Sequence, residues 1–222
     1  SNIVPWQLVA AATGAEVVPI PVADNGEIDL EALDSLLDER VKLVAVNHVS
    51  NALGTVNPVA DIISRAKAIG ALVLVDGAQS VGHWPVDVSA LGCDFYVMSG
   101  HKLFGPTGIG VLWGRESLLE AMPPFLGGGE MIERVSFSGT TFNHLPFKFE
   151  AGTPNMAGAI GLAAAIDYLG TIDRQAAAEH EQALLARSIE LAGEVEGLRR
   201  VGTPEHSAGI FSFLLEGTHP SD

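Results

Sequence analysis

Three short apolar runs constrain this chain more than any other feature. Residues 43–46, 71–75 and 95–98 are apolar, and each run stops at a polar cluster: Asn47-His48-Val49-Ser50-Asn51, Asp76-Gly77-Ala78-Gln79 and Ser99-Gly100-His101-Lys102. Runs this short read as strands buried on both faces. Helical patterns lie around them. Residues 29–38 carry Leu30, Leu33, Leu36 and Leu37 on one face behind a capping Asp29, and residues 61–69 sit between Pro58 and Gly70. Strands alternating with helices predict an α/β fold, a mostly parallel sheet with helices on both faces. In such sheets a ligand lies beyond the carboxyl ends of the strands, which is where the three polar clusters fall.

The rest of the chain is less sharply written. A helix is expected over residues 4–12, with Pro5 in its first turn and Gly14 as its stop. Residues 16–22 are β-like. After Lys102, glycines and a proline lead into a further strand at 109–113. Residues 127–150 show no helical pattern but carry Phe137, Phe142, Phe147 and Phe149, as a functional or interface segment would. A turn at 151–155 precedes a small-residue helix at 156–169 and a long charged helix at 172–195. A last strand is expected at 209–215. This divides the chain into a large domain, residues 1–171, and the start of a smaller α+β domain, residues 172–222.

Composition excludes several functions. A net charge of −15 argues against nucleic-acid backbones and anionic membranes. No apolar run reaches the ~18 residues of a membrane span, and no signal peptide is visible at the start, so a cytoplasmic enzyme is expected. The single cysteine, Cys93, excludes an internal disulfide. The histidines show no paired metal-ligand spacing, and the phosphate-loop spacing is absent around Gly105-Pro106-Thr107-Gly108.

What remains is a lysine at one strand end and an aspartate at the preceding one. A lysine held between a buried strand and a glycine-rich turn is a candidate Schiff-base former. An aspartate can keep a pyridine nitrogen protonated. Lys102 and Asp76 together therefore point to pyridoxal 5′-phosphate. Ser99 and His101, beside Gly100, are candidate phosphate donors.

His48-Val49-Ser50-Asn51, Val75-Asp76-Gly77-Ala78-Gln79, Ser99-Gly100-His101-Lys102 and Glu150-Ala151-Gly152-Thr153-Pro154-Asn155 together resemble the motifs of cysteine desulfurases. These belong to the class V aminotransferase group of fold-type I pyridoxal-phosphate enzymes. The ordered set is most similar to the SUF-type, or group II, desulfurases and the related selenocysteine lyases. The resemblance implies a seven-stranded-type sheet and conversion of L-cysteine to L-alanine, with sulfur passed as a persulfide toward iron–sulfur cluster assembly. L-selenocysteine is the alternative substrate, and another class V aminotransferase-like activity the alternative reaction. A non-catalytic, dimerising fragment is the alternative from outside enzymology.

By the same resemblance, Lys102 binds the cofactor covalently and moves the substrate α-proton. Asp76 pairs with the ring nitrogen, Gln79 with the ring oxygen, and Ser99 and His101 with the phosphate. Thr153 reaches the phosphate of a partner subunit, so a homodimer is implied, with a sulfur-acceptor protein as partner. Asn51 lies near the substrate carboxylate. Family members carry a ring-stacking histidine upstream and, downstream, a persulfide cysteine and a carboxylate-binding arginine. The chain is thus expected to be part of a longer protein and inactive in desulfuration by itself. Cys93 precedes a buried strand nine residues before Lys102, roughly 20 Å away along the strand, and is expected to be structural.

Overall fold

The computed structural model describes residues 2–219; residues 220–222, the end of the expected second domain, lie outside the described residues. In chain order the elements are α1 (Val4–Thr13), α2 (Leu30–Leu36), β1 (Leu43–Asn47), α3 (Val59–Ala68), β2 (Leu72–Asp76), α4 (Ser80–His83), α5 (Val88–Leu91) and β3 (Phe95–Ser99). They continue with β4 (Gly110–Gly114), α6 (Glu116–Ala121), β5 (Ile132–Ser136), β6 (Gly139–Phe142), α7 (Met156–Leu169), α8 (Arg174–Ala192), β7 (Leu198–Arg200) and β8 (Phe213–Leu215). A 3₁₀ turn, Gly100–Leu103, follows β3.

The main sheet has the order β1-β2-β3-β4, with the first three strands parallel and β4 antiparallel to β3. Of the expected seven-stranded-type sheet, the described residues contribute four strands. The β-like stretch at 16–22 adds none. Its Pro19 and Pro21 remove two backbone donors, and only a single bridge, Val22 to Ile28, forms there.

In β1 and β2 the expected burial of both strand faces holds on one face only, whereas in β3 the consecutive Phe95 and Tyr96 are both buried. Val44, Val46, Val73 and Val75 are buried against Leu33 of α2 and Val59, Ile62, Ile63 and Ala66 of α3. Their alternate neighbours stay part-exposed or exposed. A second cluster joins Leu103, Leu162 and Leu169, so α7 packs on the turn that holds Lys102. Asp29, Asp87 and Asp173 cap α2, α5 and α8 through their carboxylates, satisfying first-turn N–H groups.

The irregular reading of 127–150 is corrected in part. β5 and β6 form an antiparallel hairpin around Phe137-Ser138, all but one of its strand residues exposed. The strand expected at 209–215 is shorter, because only Phe213–Leu215 pairs, with β7. Residues 203–212 run instead as a strap. Thr203 N–H donates to Asn25 O, Val56 N–H to His206 O, and Ala208 N–H to Gly54 O. Among the described residues no single helix is long and apolar enough to cross a membrane.

Candidate active site

The parallel register sets the stagger of the site. Asn47 lies level with Asp76, and Asp76 level with Val97. β3 therefore runs on to Ser99 before the chain turns, which carries Lys102 past the end of β2. A cavity of about 340 Å³ opens over these ends, within the range of small-molecule sites. Asn51, Asp76, Gln79, Ser99 and Lys102 all line it, with Val49, Ala78, Val97 and Met98 as its apolar part.

Asp76 is held firmly. Its Oδ1 accepts Ala78 N–H at 2.9 Å, and its Oδ2 accepts the Asn2 side-chain amide at 3.0 Å. Charge-assisted bonds of this kind fix a carboxylate's direction. The next residue must be glycine. A Cβ on Gly77 would sit 2.0–2.1 Å from the Tyr96 ring, far inside van der Waals contact. The turn at Lys102 is equally close-packed, since a Cβ on Gly82 of α4 would lie 2.7 Å from Lys102 O.

Lys102 is half-buried, and no hydrogen bond or ion pair involves its Nζ among the described residues. Lysines elsewhere are engaged: Lys67 with Asp94 at 3.0 Å, and Lys148 with the carbonyls of Leu119 and Glu120. An uncommitted amine, a firmly held carboxylate and neutral donors at Gln79, Asn51 and Ser99 suit an anionic aromatic aldehyde. They do not suit a cation, and among the described residues no group of three metal-binding side chains occurs.

Asn51 is held by its loop. Ser50 Oγ accepts Ala52 N–H and Leu53 N–H, while Asn57 Nδ2 donates to both oxygens of Asn47. Behind the cavity, half-buried His48 and buried Tyr96 and Ser80 form a series, with Nδ1–Oη and Oη–Oγ contacts of 3.2 and 2.7 Å. Burial lowers the His48 pKa and raises that of Tyr96.

The family model for aminotransferase class V matches residues 1–222. The chain belongs to the aminotransferase class-V family. It is 52% identical over 222 residues to a protein of Xylella fastidiosa (strain 9a5c) named probable cysteine desulfurase, covering 100% of this chain and 53% of that protein. It is 53% identical over 223 residues to the cysteine desulfurase of Dickeya dadantii (strain 3937), covering 100% and 54%. The crystal structure of the cysteine desulfurase CsdA from Escherichia coli superimposes with a TM-score of 0.94 at 42% identity, covering 100% of this chain and 55% of that one. The chain thus spans about half the length of the curated relatives it matches.

Within this class-V chain, five of the seven expected site residues come together. The other two do not line the cavity. His101 is exposed on the 3₁₀ turn, and Thr153 is exposed in the turn before α7. Sequence reasoning missed Asn2 as a partner of Asp76. The pattern Asn2-Ile3-Val4-Pro5 reads only as a helix start, and no local spacing announces a contact 74 residues away. It also missed Asp94, buried at the opposite end of β3, where it accepts Val73 N–H at 2.8 Å and pairs with Lys67 and Arg115.

Proposed function

We propose that this chain is the cofactor-binding part of a SUF-type, pyridoxal-phosphate-dependent cysteine desulfurase. The whole protein would convert L-cysteine to L-alanine and pass the sulfur to an acceptor protein, as a homodimer in the cytoplasm. The reading rests on one observation: an uncommitted lysine and a firmly held aspartate line the same cavity at neighbouring strand ends. Relatives named cysteine desulfurase, half identical along the whole chain, support the substrate class.

The cofactor, when bound, supplies an electron sink for the bonds around the substrate α-carbon. The chain's own residues have the following roles. Lys102 Nζ would hold the cofactor through its aldehyde and would move the substrate α-proton. The Asp76 carboxylate would accept the N–H of the ring nitrogen and keep it protonated. Gln79 would donate to the ring oxygen, Ser99 and His101 to the phosphate, and Asn51 would orient the substrate carboxylate. Thr153 would reach the partner subunit's cofactor phosphate. Cys93 has no part in sulfur transfer, being fully buried at the opposite end of β3 from Lys102.

The test uses the purified protein incubated with pyridoxal phosphate, reduced with borohydride and mapped by peptide. The pyridoxyl group is expected on Lys102 and absent in Lys102→Ala. Asp76→Asn is expected to keep the fold but weaken cofactor binding. Labelling at Lys42, Lys67 or Lys148 instead overturns the assignment. In the full-length protein, alanine and sulfide release from L-cysteine is expected to require Lys102.

A further inference from the structure

Three polar side chains stand directly behind the Asp76–Gln79 turn, Tyr96 and Ser80 buried and His48 half-buried. Tyr96 is 2% exposed and Ser80 is 0% exposed. Ser80 Oγ donates to Gly77 O at 3.1 Å and lies 2.7 Å from Tyr96 Oη. Tyr96 Oη in turn lies 3.2 Å from His48 Nδ1.

Taken together as hydrogen bonds, these three contacts allow only one direction. Gly77 O is a carbonyl and can only accept, so the one Ser80 proton goes to it. Ser80 Oγ must then accept from Tyr96, which spends the one Tyr96 proton. The third contact therefore requires His48 Nδ1–H to donate to Tyr96 Oη. Burial favours neutral imidazole at His48, so Nε2 is left without a proton. The chain of donors runs His48, Tyr96, Ser80, Gly77 carbonyl. It ends on the backbone between Asp76 and Gln79, where the Tyr96 ring also occupies the space a Gly77 side chain would need.

We propose that Tyr96, oriented by His48 and acting through Ser80, is a positioning residue for the Asp76–Gln79 turn and so for the cofactor. The inference rests on the functional reading above for the identity of the cofactor; the direction of the hydrogen-bond chain stands apart from it. Tyr96 fills the space beside Gly77 and fixes the carbonyl through Ser80. Asp76 and Gln79 are thereby fixed from behind, while their polar ends face the cavity. Losing the hydroxyl leaves a part-buried His48 N–H unpaired and Ser80 Oγ without its donor, so the Ser80 bond to the Gly77 carbonyl is no longer held in place.

The experiment has two readouts on one set of proteins. ¹⁵N NMR of the imidazoles is expected to show His48 as the Nδ1–H tautomer in the unmodified protein, a preference lost in Tyr96→Phe. Pyridoxal phosphate binding is expected to weaken about fivefold to tenfold in Tyr96→Phe and in Ser80→Ala, the range one hydrogen bond is worth. The absorption maximum of bound cofactor is expected to shift in both. An Nε2–H tautomer in the unmodified protein overturns the chain of donors. Unchanged affinity and absorption in both variants, with only a lowered melting temperature, overturns positioning and leaves a packing role. If the unmodified protein takes up no cofactor, the functional reading fails and positioning fails with it. The tautomer readout separates that case from a wrong direction of the chain.

Discussion

Asn2 and Asp76, 74 residues apart, are joined by a 3.0 Å bond from the Asn2 side-chain amide to Asp76 Oδ2. The aspartate's other oxygen accepts Ala78 N–H. One oxygen is therefore held by its own turn and the other by the start of α1. Asn2→Ala leaves Asp76 at the strand end but lets its carboxylate rotate. Pyridoxal phosphate affinity is expected to fall about tenfold, in line with the ~1.5–3 kcal/mol of a charge-assisted bond partly replaced by water. Fluorescence titration measures it, and an affinity equal to that of the unmodified protein would count against any role for Asn2 in orienting Asp76.

The strand ends were legible because they obey local rules. An apolar run that stops at Asp76 or Ser99 needs no tertiary knowledge to be seen. The helix of Asp29 was legible through its cap. What stayed hidden depends on partners distant in sequence. Asn2 looks like any polar residue before a helix until β2 is beside it. Val17, Val18 and Ile20 look like a strand, yet Pro19 and Pro21 deny it a ladder. Phe213 pairs only because Arg200 lies opposite, and neither residue signals the other. Tyr96 read as one more apolar strand position, although its hydroxyl joins two polar clusters that the sequence keeps 32 residues apart.

His48 makes stability depend on pH in a stated direction. Burial holds its native pKa below the ordinary 6.5. Below pH 6.5 the unfolded chain binds a proton that the native imidazole, facing Tyr96 and Trp84, resists. Stability is therefore expected to fall as pH drops through 6.5, by at most about 1.4 kcal/mol per pH unit from this group. Glu27, with its lowered pKa, acts only below 4.5. Urea midpoints at pH 7.5 and 5.5 test this, and His48→Gln should flatten the difference. An equal drop in that variant would assign the effect elsewhere.

Cys93 is expected to be silent. It is 0% exposed, and burial pushes its thiol above the ordinary value of 9.0, with Asp94 adding to the rise and Arg115 and Lys67 opposing it. At pH 8 a disulfide reagent should find no reactive thiol in the native protein and one equivalent after unfolding in guanidinium. Above pH 9 the unfolded thiol ionises while the native one does not, so stability should decline as pH rises there. Rapid stoichiometric labelling of the folded protein would return Cys93 to consideration as a sulfur carrier.

The strap at 203–212 lies on the Asn51 loop and is tied to α8 by two neighbouring residues. Glu181 Oε1 accepts Gly209 N–H at 2.6 Å, and its carboxylate lies 2.9 Å from His83 Nδ1 on α4. Gln182 Nε2 donates to Ser207 O at 2.7 Å. The strap then bonds the loop through Ala208 N–H to Gly54 O and through Val56 N–H to His206 O. Glu181 thus ties α4, which follows Gln79, to the loop that carries Asn51. Glu181→Ala removes both bonds and should speed amide exchange at Val56, Ala208 and Gly209 about tenfold, the effect of roughly one hydrogen bond. Gly209→Ala should act alike, since its Cβ would lie 2.3 Å from Glu181 Oε1 and push the carboxylate away. Exchange in β1 to β3 should not change, because their cross-strand bonds are untouched. In the full-length protein the same variants should raise KM for the amino-acid substrate and leave pyridoxal phosphate affinity unaltered, as Asn51 lies on the substrate side and Asp76 does not move. A loss of cofactor affinity equal to the rise in KM would show that the strap supports the whole cavity and not the Asn51 loop alone.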